Sequence, residues 1–119
     1  MVVAGYGWCG RGLATRARGM GSKVIVTEID PLKALEATMD GFEVQTMEHA
    51  AKTGDIFITA TGNRDVIGPS IFKILKNGAI LANSGHFDNE IDVKNLEKTN
   101  EGKRQIRGSV TQYNLNDGR

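Results

Sequence analysis

The stretch Gly5-Tyr6-Gly7-Trp8-Cys9-Gly10 constrains this chain more than any other. Its three glycines sit between a short apolar run, Met1 to Ala4, and a stretch from Gly10 to Met20 where Leu13, Ala14, Ala17 and Met20 recur at helical spacing. Gly19 and Gly21 end that stretch, and the β-branched run Lys23 to Thr27 reads as a second strand. Strand, glycine turn, helix and strand make a crossover unit, and such units set their two strands parallel. Each glycine then has a separate task. Gly5 makes the tight turn, Gly7 lets the backbone approach a pyrophosphate, and Gly10 lets the helix pack closely on the strand. The helix start offers free N–H groups and the positive end of a dipole to an anion.

The alternation continues along the chain. Asp30-Pro31 reads as a helix start, with Asp as N-cap and Pro in the first turn, and the helix runs to about Asp40 before Gly41. Phe42 to Gln45 is a short third strand, Thr46 to Ala51 a short helix, and Asp55 to Ala60 a fourth strand. A helix over Ser70 to Lys76 closes at Asn77-Gly78, and Ala79 to Asn83 is a fifth strand. Asp92 caps a helix to about Lys98, and Gln105-Ile106 with Val110 to Leu115 form a final pair of short strands. Strands alternating with helices predict a Rossmann-type doubly wound α/β fold, a mostly parallel sheet between two helical layers. At 119 residues the chain holds one domain, residues 1–119. It begins inside a strand and stops at Asp117-Gly118-Arg119, a hairpin turn signal with no strand after it, so it reads as excised from a longer protein.

The glycine spacing alone is weak in a chain with 15 glycines, and the second feature that supports it is Glu28. A carboxylate at the end of the second strand, about 20 residues past the motif, accepts hydrogen bonds from the adenosine ribose hydroxyls and repels a 2′-phosphate. NAD is therefore favoured over NADP. Lys33, on the first turn after the Asp30 cap, could reach a 2′-phosphate and keeps NADP as a minor possibility. Thr61-Gly62-Asn63 follows the fourth strand, where small residues leave room for a ribose and a nicotinamide, and Asn63 could hydrogen-bond one of them. Ser84-Gly85-His86 follows the fifth strand, and His86 could titrate near neutrality beside the nicotinamide end. Cys9 reads as a small packing residue beside the phosphates. Asp88, Glu90 and Asp92 alternate in a pattern that suggests a metal site, but Asp92 as a helix cap with the other two solvated is the simpler account, and no metal is expected.

A net charge of +1 argues against a nucleic-acid or anionic-membrane binder. One cysteine excludes a disulfide framework and fits a reduced, cytoplasmic setting. No apolar run approaches the length of a membrane span.

Read in order, Val-Ala-Gly-Tyr-Gly-Trp-Cys-Gly-Arg-Gly, Val-Thr-Glu-Ile-Asp-Pro, Gly-Asp-Ile-Phe, Thr-Ala-Thr-Gly-Asn and Asn-Ser-Gly-His-Phe-Asp-Asn-Glu-Ile-Asp closely resemble the NAD-binding domain of the adenosylhomocysteinases. The resemblance covers essentially the whole chain. Gly-His-Phe-Asp followed by Glu-Ile-Asp is its most specific part. It implies that the segment Gly7, Trp8, Cys9, Gly10, Arg11 and Gly12 is the phosphate loop and that Glu28 is the ribose carboxylate. Asn63 and Ser84 to His86 would line the nicotinamide half, with His86 near the substrate entrance. Members often carry Asp-Val in place of Trp8-Cys9 and Asn in place of Lys33, which leaves Lys33 a weak ribose contact. The family's chemistry oxidises the 3′-hydroxyl of S-adenosyl-L-homocysteine. The neighbouring C4′ proton becomes acidic, homocysteine leaves, water adds and the ketone is reduced again, releasing adenosine. The resemblance implies homotetramers and a place in the methionine cycle and one-carbon metabolism. It also implies that the general bases lie outside these 119 residues, so no catalytic residue is assigned within them. Two other readings share the glycine loop and Glu28: the cofactor domain of an ordinary NAD-dependent dehydrogenase, and a nucleotide-sensing module without catalysis.

Overall fold

The computed structural model describes residues 1–119. The strands β1 (Val2–Ala4), β2 (Ile25–Thr27), β3 (Glu43–Val44), β4 (Ile56–Thr59) and β5 (Ile80–Asn83) form one parallel sheet in the order β3-β2-β1-β4-β5. Between them run α1 (Trp8–Gly19), α2 (Pro31–Met39), α3 (Met47–Thr53) and α4 (Pro69–Phe72), followed by α5 (Val93–Lys98). Val2 pairs with both Ile25 and Phe57, so β1 is central and the strand order reverses between β1 and β4. In such a sheet the crevice at that reversal, outside the carboxyl ends of the strands, is where a ligand sits.

Strands β1 and β2 are buried on both faces, which explains why they read as unbroken apolar runs, while Ile56 of β4 and Ile80 and Ala82 of β5 leave one face of that edge exposed. Successive side chains of β1 go to opposite faces. Val2 joins Phe57, Ile71, Phe72 and Leu96 in one core, while Val3 joins Ala14, Ala17, Val26 and Phe42 in the other. The buried face of α1 is Gly10, Ala14 and Ala17, small residues that bring the helix axis close to the sheet. The doubly wound three-layer prediction therefore holds, with the strands shorter than the apolar runs by one or two residues at the start and by at most one at the end.

Three differences have physical reasons. First, α1 begins at Trp8, two residues before the expected start, because Gly7 takes the extended N-cap conformation. Second, regular helix in α4 stops at Phe72, not at Lys76: the Phe72 carbonyl accepts from Arg119 Nη1 in place of a helical amide, and the same nitrogen donates to the Leu75 carbonyl. Third, β6 (Asn100–Arg107) is longer than the expected Gln105-Ile106, and it pairs antiparallel with β7 (Val110–Leu115), which lies where expected, as a separate hairpin. Most of their side chains are exposed; backbone pairing holds the hairpin together with Tyr113 and Leu115, which pack against the core of Val2 and Phe57, and no apolar periodicity marks the full length of β6.

Candidate functional site

Gly5 ends β1 with φ +96, a left-handed conformation that glycine adopts without strain. A Cβ there would also lie 2.8 Å from the Ala60 carbonyl oxygen, so the turn after β1 and the end of β4 touch backbone to backbone. Gly10 is tighter still. Its Cβ would stand 1.9 Å from the Gly5 carbonyl oxygen, so the first turn of α1 rests directly on the glycine turn. A Cβ on Gly7 would meet no protein atom within 4 Å, which leaves the front of the loop open.

The start of α1 differs from the starts of α2, α3 and α5. Those three are capped by Asp30, Thr46 and Asp92 side chains, each accepting from a first-turn amide. No side chain caps α1, and its first turn holds no acidic residue. Its leading N–H groups and positive dipole end are therefore left for an external anion. Asp30 is the cap that the sequence predicted, with Oδ1 accepting from Leu32 N at 2.9 Å.

Glu28 stands at the end of β2 as expected, but it is not a free carboxylate. Its Oε2 accepts from Tyr6 N at 2.8 Å, and its Oε1 accepts from Ile29 N at 2.8 Å and Asp30 N at 3.0 Å. A carboxylate has about four acceptor sites, so one remains for a ribose hydroxyl. Glu28 thus ties the glycine loop to the turn after β2 and still faces the cleft. Beneath the loop the Tyr6 ring is buried, and its hydroxyl donates to Asp40 Oδ2 at 2.7 Å. Burial first, then the Asp40 carboxylate, raises the Tyr6 pKa. The Tyr6 hydroxyl first, then Arg11, holds Asp40 below the usual carboxylate range. Arg11 Nη2 reaches Asp40 at 3.1 Å and Glu36 at 3.7 Å, so the guanidinium braces α1 against α2 instead of facing the cleft.

The cleft at the reversal point has a volume of about 680 Å³. Gly5, Gly7, Glu28, Lys33, Thr61 and Asn63 line it, six of the residues singled out from sequence. Gln45 to Glu48, Ile29, Arg64 and Val66 also line it and were not foreseen. The order β3-β2-β1 puts the turn after β3 beside the turn after β2, and that neighbour relation was the available signal. Asn63 Oδ1 accepts from Arg64 N at 3.0 Å, which leaves its side-chain amide NH₂ as the group free to donate.

The remaining predicted residues lie outside the cleft lining. Trp8 and Gly12 are exposed on α1, outside the cleft lining. Cys9 Sγ is 4.0 Å from Ser84 Oγ, so the start of α1 borders the segment after β5. His86 is exposed, its ring meets Phe87 edge-on with centroids 4.8 Å apart, and its side chain makes no hydrogen bond or ion pair. Gly85 does permit a close approach, but by a protein group: a Cβ there would lie 1.9 Å from Glu90 Oε1. Glu90, expected to be solvated, is 1 % exposed and accepts from Thr61 N, Thr61 Oγ1 and Gly62 N. It lies in an irregular segment with no periodicity to mark it as buried. Asp92 caps α5 as expected, and the acidic residues gather around no common point. No helix is long and apolar enough to cross a membrane.

All of residues 1–119 match the family described as S-adenosyl-L-homocysteine hydrolase, NAD binding domain. An adenosylhomocysteinase of Archaeoglobus fulgidus is 62% identical over 119 residues, all of this chain and 29% of that protein. One of Aquifex aeolicus is 64% identical over 118 residues, 99% of this chain and 28% of that protein. An S-inosyl-L-homocysteine hydrolase of Methanosarcina mazei is 56% identical over 119 residues, with 100% and 29% covered. Among solved structures, a pyruvate reductase of Chlamydomonas reinhardtii superposes with a TM-score of 0.68 at 26% identity, over 82% of this chain and 29% of that one.

Proposed function

The chain belongs to the S-adenosyl-L-homocysteine hydrolase NAD-binding-domain family and its cofactor is NAD, and from that premise we propose that it is the cofactor-holding part of a longer adenosylhomocysteinase. The whole enzyme reversibly hydrolyses S-adenosyl-L-homocysteine to adenosine and L-homocysteine. The chain spans 28–29% of the length of the curated relatives it matches, so the groups that move substrate protons come from the rest of that polypeptide.

The cleft fits the cofactor. The uncapped start of α1 offers amides to the pyrophosphate, with Gly7 leaving the approach open. Glu28 has one acceptor site for an adenosine ribose hydroxyl, and its charge disfavours a 2′-phosphate. Asn63 can donate from its free amide to the nicotinamide half. Bound NAD supplies a reversible two-electron oxidation of a substrate alcohol. The protein's own part is to hold, orient and enclose. Ser84, Gly85 and His86 form the wall beyond Thr61, and His86 stands at the mouth through which the nucleoside enters. Gly12, Trp8, Cys9 and Arg11 support the loop from α1, and Lys33 edges the adenosine ribose.

The observation that carries this reading is that one family's cofactor domain accounts for all 119 residues. Relatives with the adenosyl name are 58–64% identical and those with the inosyl name 51–59%, a margin that supports adenosine as the nucleoside. We place the enzyme in the cytoplasm, in the methionine cycle, as a homotetramer. The test is homocysteine release by the longer polypeptide from S-adenosyl- and S-inosyl-L-homocysteine, assayed in parallel. Adenosyl preference is expected. Release from neither, with free turnover of NAD to NADH on a hydroxy acid, would refute the hydrolase and favour the dehydrogenase reading.

A further inference from the structure

Glu90 is the one carboxylate in this chain that is essentially sealed from solvent, and no lysine or arginine pairs with it. Burying a charge without a counter-charge is costly, and only the donors around it offset that cost. All three donors belong to one turn. Thr61 N reaches Oε2 at 3.0 Å, Thr61 Oγ1 donates to the same oxygen at 2.6 Å, and Gly62 N reaches Oε1 at 3.0 Å. The order passes onward. Because the Thr61 hydroxyl gives its proton to Glu90, its lone pairs are free to accept from Asn63 N at 3.0 Å. Asn63 Oδ1 in turn takes Arg64 N, which turns the Asn63 NH₂ group out as the free donor in the cleft. The carboxylate is itself placed by backbone: Ile67 N donates to Glu90 O at 3.0 Å and Asp92 N to Ile67 O at 3.0 Å. On its other side, Oε1 fills the space that a side chain on Gly85 would need.

We propose that Glu90 is a positioning residue for the dinucleotide, acting through Thr61 and Asn63 on the half of the cofactor beyond the pyrophosphate, and that residue 85 is glycine because this carboxylate occupies the room of its side chain. The proposal rests on the assignment of the cleft to NAD. It separates two halves of the site. The glycine loop and Glu28 hold the adenosine diphosphate part and do not touch Glu90. The turn after β4 and the segment after β5 are both shaped by it.

The test compares Glu90→Gln and Thr61→Val with the unaltered chain, using NAD and ADP as probes in calorimetry and amide hydrogen exchange as a second readout. Gln keeps the size but turns one acceptor into a donor that faces donors. NAD binding should weaken by at least about tenfold in Glu90→Gln while ADP binding changes less than about twofold, the scale of a lost charge-assisted hydrogen bond. The Thr61 and Gly62 amides should exchange at least about tenfold faster, with those of Val3 and Val26 unchanged. Thr61 is exposed, so Thr61→Val leaves the core intact, and it should weaken NAD in the same direction by about threefold. Equal losses for NAD and ADP, no loss for either, or unaltered exchange at Thr61 and Gly62 would overturn the proposal. If Glu90→Gln does not fold, Thr61→Val with unchanged NAD affinity overturns it alone. An unaltered chain that binds neither probe would instead overturn the cleft assignment, a result distinct from one in which it binds both and the variants fail to separate them.

Discussion

The same substitution at two glycines of α1 should change stability in opposite directions. At Gly10 a new Cβ falls 1.9 Å from the Gly5 carbonyl oxygen and 2.7 Å from its carbon. Ordinary contact needs about 3.4 Å, so the helix start must retreat by roughly 1.5 Å from the turn. The obstacle is main chain and cannot swing aside. Overpacking costs about 1–3 kcal/mol, and a rigid neighbour puts Gly10→Ala near the upper end. Alanine returns about 1 kcal/mol in helix propensity, leaving a net loss of about 2. At Gly12 a Cβ meets nothing within 4 Å, so Gly12→Ala keeps the propensity gain of up to about 1 kcal/mol. The two variants should differ by about 3 kcal/mol. At roughly 5 °C per kcal/mol for a domain of this size, their melting midpoints should lie about 15 °C apart. Scanning calorimetry reads this directly. Calorimetric titration should also show Gly10→Ala losing NAD by more than about tenfold, because the displaced first-turn amides no longer meet the phosphates. A Gly10→Ala midpoint within about 2 °C of the unaltered chain, or a Gly12→Ala midpoint as low, would refute the claim that backbone contact dictates glycine at position 10.

Glu28→Ala should weaken NAD by about 1–3 kcal/mol in titration calorimetry, and tighter NADP than NAD binding by the unaltered chain would count against the assignment of Glu28 to the ribose. The lowered pKa of Asp40 means that its contribution to stability is complete above about pH 4 and is lost as pH falls through the folded value. Asp40→Asn should therefore flatten the acid limb of a plot of melting temperature against pH, and an acid limb as steep as before would refute this. Tyr6 runs the other way: its raised pKa makes its contribution whole below about pH 10 and lost as pH rises through the folded value, which Tyr6→Phe should abolish. His86→Ala should leave the melting temperature within the effect of about 0.5 kcal/mol while lowering turnover of the longer enzyme by about 10²-fold; a variant that unfolds readily yet turns over normally would make His86 structural.

How much of this was legible in the sequence depended on whether the cause was local. The central strands were legible because burial on both faces demands apolar runs such as Val2-Val3-Ala4 and Val24-Ile25-Val26. Helix starts at Asp30 and Asp92 were legible because a cap is a contact between residues two or three apart. The glycine loop and Glu28 were legible in place but not in bonding, since nothing local says that Tyr6 N will claim one oxygen of Glu28. What escaped was set by distant partners. The end of α4 depends on Arg119, 47 residues away from Phe72, and the burial of Glu90 depends on Thr61, 29 residues away. Arg11 was read with the phosphate loop, but Asp40 and Glu36 on the next helix draw it aside.

The three residues of β1 have a consequence for how this chain can fail. Val2 belongs to one core and Val3 to the other, and the strand leads straight into Gly5. A slip of one residue against β2 and β4 would exchange the two faces, driving each valine into the wrong layer. It would also displace the Gly5 turn from Ala60 and carry α1 with it. Closing the longer loop to Phe57 costs only about 0.8 kcal/mol more chain entropy than closing the shorter one to Ile25, so both pairings can form early and compete to set the alignment. A misaligned sheet that still binds nucleotide is therefore not a state open to this chain. Correct strand alignment and the capacity to hold the cofactor are gained together during folding and are lost together.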